Sequence, residues 1–193
     1  MIYPKRFVIL DRDGTIAEEC DHLVSPEQVK LIPGAASGLS QLRQLGLGLV
    51  VITNQSVIGS GVIDRARLDE IHKRLSELLG HENAWLDKIY VCPHKANENC
   101  NCRKPKTELA RQAASEYHFD LHRSFVIGDK VCDIELGKQI GATTILVRSG
   151  YGKQYDSQDI PPEYIVDDLK KAAILIEILL RKDAESHDIS TRS

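Results

Sequence analysis

Six short runs of apolar, largely β-branched residues alternate with stretches of helical period along this chain, and that alternation restricts the fold more than any other feature. The runs are Phe7–Leu10, Leu47–Ile52, Ile89–Val91, Ser124–Ile127, Thr144–Val147 and the weaker Tyr164–Val166. The first four carry almost no interior polar residue, as expected of strands buried on both faces in a parallel, helix-covered sheet. Between them, Leu39, Leu42 and Leu45 recur every three residues and stop before Gly46. Leu68, Ile71, Leu75, Leu78 and Leu79 follow a start at Asp64 and stop at Gly80. Thr107–Tyr117, Asp133–Ile140 and Asp168–Lys182 supply three further helices. The expected fold is α/β with a doubly wound parallel sheet. A chain of 193 residues is about one domain's worth, taken here as residues 1–182. Residues 183–193 are polar and aperiodic and read as a flexible tail.

Composition removes several classes of function. Lys+Arg 25 against Asp+Glu 28 gives a formal charge of −3, without the basic surface of a general nucleic-acid binder. No apolar run approaches the roughly 18 residues that cross a bilayer, and Met1–Arg6 has no signal-peptide anatomy. A soluble cytoplasmic protein is expected, acting as a monomer on a small molecule, with neither nucleic acid nor membrane as partner. Five cysteines, three of them at Cys92, Cys100 and Cys102, suit a metal site better than a disulfide framework. Cys132 reads as a small buried residue and Cys20 as an exposed loop thiol. His22, His72, His81, His118, His122 and His187 show no pattern tied to chemistry and are expected mostly at the surface.

Ligands in open α/β sheets bind beyond the carboxyl ends of the strands, so the residues that follow each run carry the chemistry. They are Asp11-Arg12-Asp13-Gly14-Thr15, Thr53-Asn54-Gln55-Ser56, Cys92 leading to Arg103-Lys104-Pro105, and Gly128-Asp129-Lys130 with Asp133 beyond. Two carboxylates two residues apart could share phosphoryl transfer, one attacking phosphorus and the other handling the proton of the leaving oxygen and of water. Asp129 would bring in a divalent cation, without which the clustered carboxylates would repel an anionic substrate. Thr53 can donate to a phosphoryl oxygen and Lys104 can neutralise it. Gly14 permits a tight turn. Asp133 reads equally as a residue of the first helical turn, favoured there by the helix dipole, or as a member of the site.

These four motifs together resemble the signatures of the haloacid dehalogenase (HAD) superfamily of phosphatases, over roughly residues 7–150. The resemblance implies Asp11 as nucleophile, Asp13 as general acid/base, and Thr53 and Lys104 as stabilisers of the transferring group. It also implies Mg²⁺ held by Asp11, the Asp13 backbone carbonyl and Asp129. Cys92-Pro93-His94 and Cys100-Asn101-Cys102 form C-x-H-x5-C-x-C, a closed tetrahedral set expected for structural Zn²⁺, which would aim Arg103 and Lys104.

A zinc loop of this kind is similar to that of two subgroups, the heptose 1,7-bisphosphate 7-phosphatases of bacterial surface-glycan synthesis and the histidinol-phosphatase domains. The first is the closer likeness through Thr53–Ser56, Gly128–Lys130 and Val147–Gly152, although Val57 stands where that subgroup usually has glycine. The phosphorylated sugar would then meet Arg12, Arg103 and Lys130, the Glu19, Cys20, Asp21 and His22 stretch, and Asn54, Gln55 and Ser56. A histidinol-phosphate phosphatase is the alternative, and a zinc-organised binding module is the non-enzymatic one. The length leaves no span for a cap domain, so the loops at 17–32 and 92–102 are expected to shape the substrate site.

Overall fold

The computed structural model describes residues 6–20, 23–155 and 160–190, with side chains as far as 185. The six apolar runs become six strands: β1 (Phe7–Leu10), β2 (Gly48–Asn54), β3 (Lys88–Cys92), β4 (Phe125–Gly128), β5 (Thr143–Val147) and β6 (Tyr164–Val166). All pair in parallel, in the order β3-β2-β1-β4-β5-β6. Two strands run past their apolar stretch into polar residues because pairing continues there, with Thr53 opposite Val91 and Asn54 opposite Cys92.

The helices are α1 (Ala35–Gln44), α2 (Ser56–Gly59), α3 (Arg65–His81), α4 (Glu108–Tyr117), α5 (Val131–Ile140) and α6 (Leu169–Ser190). The single turn α2 was not foreseen, since four residues cannot show a helical period. The last helix continues past Lys182, where the apolar stripe stops, as far as Ser190.

Alternation along the strands divides the core. Val8, Leu10, Leu49 and Val51 join Leu39 and Leu42 of α1, Leu75 and Leu79 of α3, and Ala172 and Ile176 of α6. Phe7, Ile9, Val50 and Ile52 face Leu109 and Ala113 of α4 and Leu136 and Ile140 of α5. Helices therefore cover both faces of the sheet.

The chain leaves β1 for β2 and β3 on one side, then returns to lay β4 against the other edge of β1. The two strands at this switch point, β1 and β4, end immediately before Asp11 and Asp129. No separate domain is inserted among the described residues. The connections from β1 to α1 and from β3 to α4 instead stand over the strand ends. None of the described helices is long and apolar enough to cross a membrane.

Candidate active site

Asp11, the first residue beyond β1, is 5% exposed. Its Oδ1 accepts from the Arg12 backbone N–H at 2.8 Å and forms an ion pair with Lys104 Nζ at 2.8 Å. None of the described residues donates to Oδ2. Lys104 is buried as well and reaches Asp133 Oδ1 at 2.7 Å. Burial opposes its charge, but the Asp11 and Asp133 carboxylates outweigh that and raise its pKa, so it stays an ammonium.

Asp11, Asp129 and Asp133 are buried with carboxylate oxygens within 4.8 Å of one another, a set able to hold a cation. Asp129 Oδ2 accepts from the Tyr151 N–H at 2.7 Å, while its Oδ1 is buried with no partner among the described residues. Burial, together with the charges of Asp11 and Asp133, pushes Asp129 up to about 7 against the pull of Lys130. An orphaned carboxylate oxygen in an acidic cluster fits a hard divalent cation, which takes oxygen donors. The backbone makes room for this: Gly14 has φ +77°, and a Cβ there would stand 2.1 Å from Asp129 Oδ2. A Cβ on Gly128 would stand 2.3 Å from Asp133 Cγ.

Asp13 is held differently. Arg12 Nε donates to its Oδ1 at 2.9 Å and Nη2 to its Oδ2 at 2.7 Å. Gln55 Nε2 reaches the same Oδ2 at 2.9 Å and Thr53 Oγ1 at 2.7 Å. That leaves the Thr53 hydroxyl hydrogen free for a phosphoryl oxygen. Asn54 bonds reciprocally to the backbone of Lys104, donating to its carbonyl at 3.2 Å and accepting from its N–H at 3.0 Å. The end of β2 is thereby tied to the segment that delivers the lysine.

These groups open into one cavity of ≈ 350 Å³ that Asp11, Asp13, Thr53 and Lys104 line from below. Arg12, Asn54, Gln55 and Ser56 also line it, as do Glu19, Cys20, Arg103 and Lys130. Lys130 Nζ pairs with Glu19 at 2.8 Å and lies 5.0 Å from the Tyr151 ring centroid. Arg103 Nη1 donates to the His94 carbonyl at 3.0 Å, which couples the cysteine segment to the rim. The expected Asp21 and His22 lie outside the described residues.

Cys92, His94, Cys100 and Cys102 come together within 4.8 Å. His94 Nδ1 is 3.2 Å from Cys102 Sγ, and Cys92 Sγ is 3.7 Å from Cys100 Sγ. Three sulfurs and an imidazole are a donor set that could hold a metal ion in a closed, four-coordinate site. Cys92 ends β3 and Cys102 stands two residues before Lys104, so the cluster anchors both ends of the segment that aims the lysine.

Several readings of the residues need correction. Cys132 is a lining residue of the cavity rather than core, and Cys20 lines it too. Asp133 needs none, since both of its readings hold: it belongs to the carboxylate–lysine cluster and accepts the Lys130 N–H at 3.1 Å as the first turn of α5 forms. His72 is half-buried rather than at the surface: burial and the Arg12 charge push its pKa down to about 3. Its place on the Leu68, Ile71, Leu75 and Leu79 stripe of α3 was the available signal.

Fold and site define a hydrolase of HAD-like type, with a cluster of strand-end aspartates at the topological switch point. A family model described as HAD-hydrolase-like matches residues 101–172. A heptose-1,7-bisphosphate 7-phosphatase of Pseudomonas putida, of the D-glycero-β-D-manno series, is 35% identical over 176 residues, 90% of this chain and 99% of that protein. The histidine biosynthesis bifunctional protein of Legionella pneumophila is 30% identical over 172 residues, covering 88% of this chain but 47% of that protein. Among solved structures, the D,D-heptose 1,7-bisphosphate phosphatase of Bordetella bronchiseptica, complexed with magnesium and phosphate, superposes with TM-score 0.84. It is 32% identical and covers 92% of this chain and 99% of its own. The chain belongs to the HAD-like hydrolase family, in the branch that contains the D-glycero-D-manno-heptose-1,7-bisphosphate 7-phosphatases.

Proposed function

We propose that this chain hydrolyses the 7-phosphate of D-glycero-D-manno-heptose 1,7-bisphosphate through an aspartyl-phosphate. The observation that carries the chemistry is Asp11, buried at the switch point with Lys104 on one oxygen and the other oxygen open. Asp11 Oδ2 attacks phosphorus, the bond from phosphorus to the sugar oxygen breaks, and Asp13 gives that oxygen its proton. Asp13 then takes a proton from water, whose oxygen attacks the same phosphorus and releases phosphate and the Asp11 carboxylate. Thr53 and Lys104 stabilise the charge on the transferring group in both steps.

Asp11, Asp129 and the Asp13 backbone carbonyl would hold Mg²⁺, with Asp133 behind them. When bound, Mg²⁺ neutralises this acidic cluster and the phosphoryl oxygens. Cys92, His94, Cys100 and Cys102 would hold Zn²⁺ as a structural ion. Lys130 and Arg103 at the rim supply the positive charge for a second phosphate. Glu19, Cys20 and Ser56 bound the sugar. The preference for the heptose substrate is supported by relatives that match this chain nearly end to end.

Two measurements test this reading. Asp11→Asn keeps the fold and lowers phosphate release by about 10⁴-fold or more, whereas unchanged release removes Asp11 as nucleophile. Comparison of kcat/KM across both heptose 1,7-bisphosphate anomers, histidinol phosphate and fructose 1,6-bisphosphate should favour a heptose anomer by about tenfold or more, each tenfold being about 1.4 kcal/mol. Preference for histidinol phosphate would move the assignment to the other branch, and equal rates would end any claim of sugar selectivity.

A further inference from the structure

The proton-handling aspartate is not held by the strand-end segment alone. The Arg12 guanidinium presents one edge, Nε and Nη2, to the two oxygens of Asp13. Its remaining nitrogen, Nη1, lies 3.1 Å from His72 Nε2 on α3. Arginine has five N–H donors and no acceptor. The contact is therefore a hydrogen bond only if His72 Nε2 offers its lone pair, with the ring proton on Nδ1. Burial and the neighbouring Arg12 charge both hold His72 in that neutral form. The Arg12 side chain is 1% exposed, so solvent offers no substitute acceptor. A guanidinium is a rigid plane, and fixing Nη1 also fixes the direction of the Nε and Nη2 edge.

We propose that His72 is a positioning residue for phosphoryl transfer, acting through Arg12 to set the orientation of Asp13. This rests on the reading of Asp13 as the acid. His72 touches neither the substrate nor the reacting atoms, and its effect falls on the one step that needs Asp13 as a proton donor. In that step the Asp11–phosphorus bond forms, the bond to the leaving oxygen breaks, and the Asp13 proton moves to that oxygen. An aryl oxygen with a stable anion leaves without that proton, but the oxygen of a sugar does not. Loss of positioning therefore shows as a change in leaving-group dependence, which a merely structural role would not produce.

The test compares kcat/KM, which reports the first phosphoryl transfer, on p-nitrophenyl phosphate and on the sugar phosphate turned over fastest. His72→Leu should lower the sugar-phosphate value by about tenfold or more and the aryl value by less than about threefold. His72→Gln, whose amide oxygen can accept from Arg12, should keep both within about threefold of the parent. Equal losses on the two substrates in His72→Leu, or no loss on either, would overturn the proposal, as would His72→Gln behaving like His72→Leu. Asp13→Asn separates the layers. If it lowers both substrates alike, Asp13 is not the acid and the underlying reading fails. If it discriminates and His72→Leu does not, the positioning role alone is lost.

Discussion

Lys104 sits between two carboxylates, and the charge balance around it bears on stability and turnover alike. Three buried acids, Asp11, Asp129 and Asp133, surround one directly paired lysine. Burial raises the pKa of Asp133, and the Lys104 pair is what opposes that and favours its charge. Asp133→Asn leaves the buried Lys104 ammonium with Asp11 as its one paired carboxylate and should lower stability by about 3 kcal/mol, read by denaturant unfolding. Turnover should fall by about 10²-fold, because Lys104 then pairs with Asp11 alone and the cation loses a neighbouring charge. Unchanged or higher stability would show that the Lys104 charge does not depend on Asp133.

His72 adds a pH dependence whose sign is fixed by its environment. Its folded pKa is about 3 against an ordinary value of 6.5, so the unfolded chain binds the additional proton in acid. Its contribution is intact above about pH 6.5 and declines as pH falls toward about 3, at up to about 1.4 kcal/mol per unit. Between about pH 7.5 and pH 5, the parent should lose about 2 kcal/mol more than His72→Gln in paired denaturant titrations. Parallel curves would count against a buried neutral imidazole. At this scale the strand-end motifs were legible in the sequence because the chemistry restricts residue type and spacing together. His72 was not, because it also satisfies an ordinary helical pattern on an apolar stripe, and Asp133 was legible only as one of two readings, the other being a first-turn residue.

At the scale of elements, the sheet was legible because each strand of a parallel sheet must be apolar on both faces. Boundaries were less so: Asn54 and Cys92 pair within strands although nothing apolar distinguishes them. The contact between α1 and α6 was invisible, since the residue that permits it has no side chain. A Cβ on Gly38 would stand 2.8 Å from the Leu169 carbonyl oxygen and 3.0 Å from the Lys170 nitrogen. Gly38→Ala gains helix propensity but drives these helices apart, and the steric effect should win. Loss of about 1–3 kcal/mol with a lower Tm is expected, with kcat nearly unchanged because the contact lies away from the cavity. A stabilised variant would show that the two helices can part without strain.

For the whole molecule, two loops take over the shaping of the substrate site that an inserted domain would otherwise provide. One of them depends on the Cys92, His94, Cys100 and Cys102 cluster for its form, because few apolar side chains lie between its cysteines. Purified protein should contain about one zinc per chain. Its removal by chelation, or by Cys92→Ser together with Cys100→Ser, should lower Tm and reduce kcat through displaced Lys104 while the rest of the sheet persists. A zinc-free native protein of full activity would contradict this.

The placement of β1 between β2 and β4 has a kinetic consequence as well. Asp11 and Asp129 belong to neighbouring strands, yet the chain completes β2, β3 and four helices before β4 can dock. That pairing has the high contact order that makes folding slow. The carboxylate cluster exists only once the late strand has arrived. During synthesis the amino-terminal half can acquire its sheet, while the carboxylate cluster must wait for this long-range pairing and for the Tyr151 N–H, beyond β5, that holds Asp129.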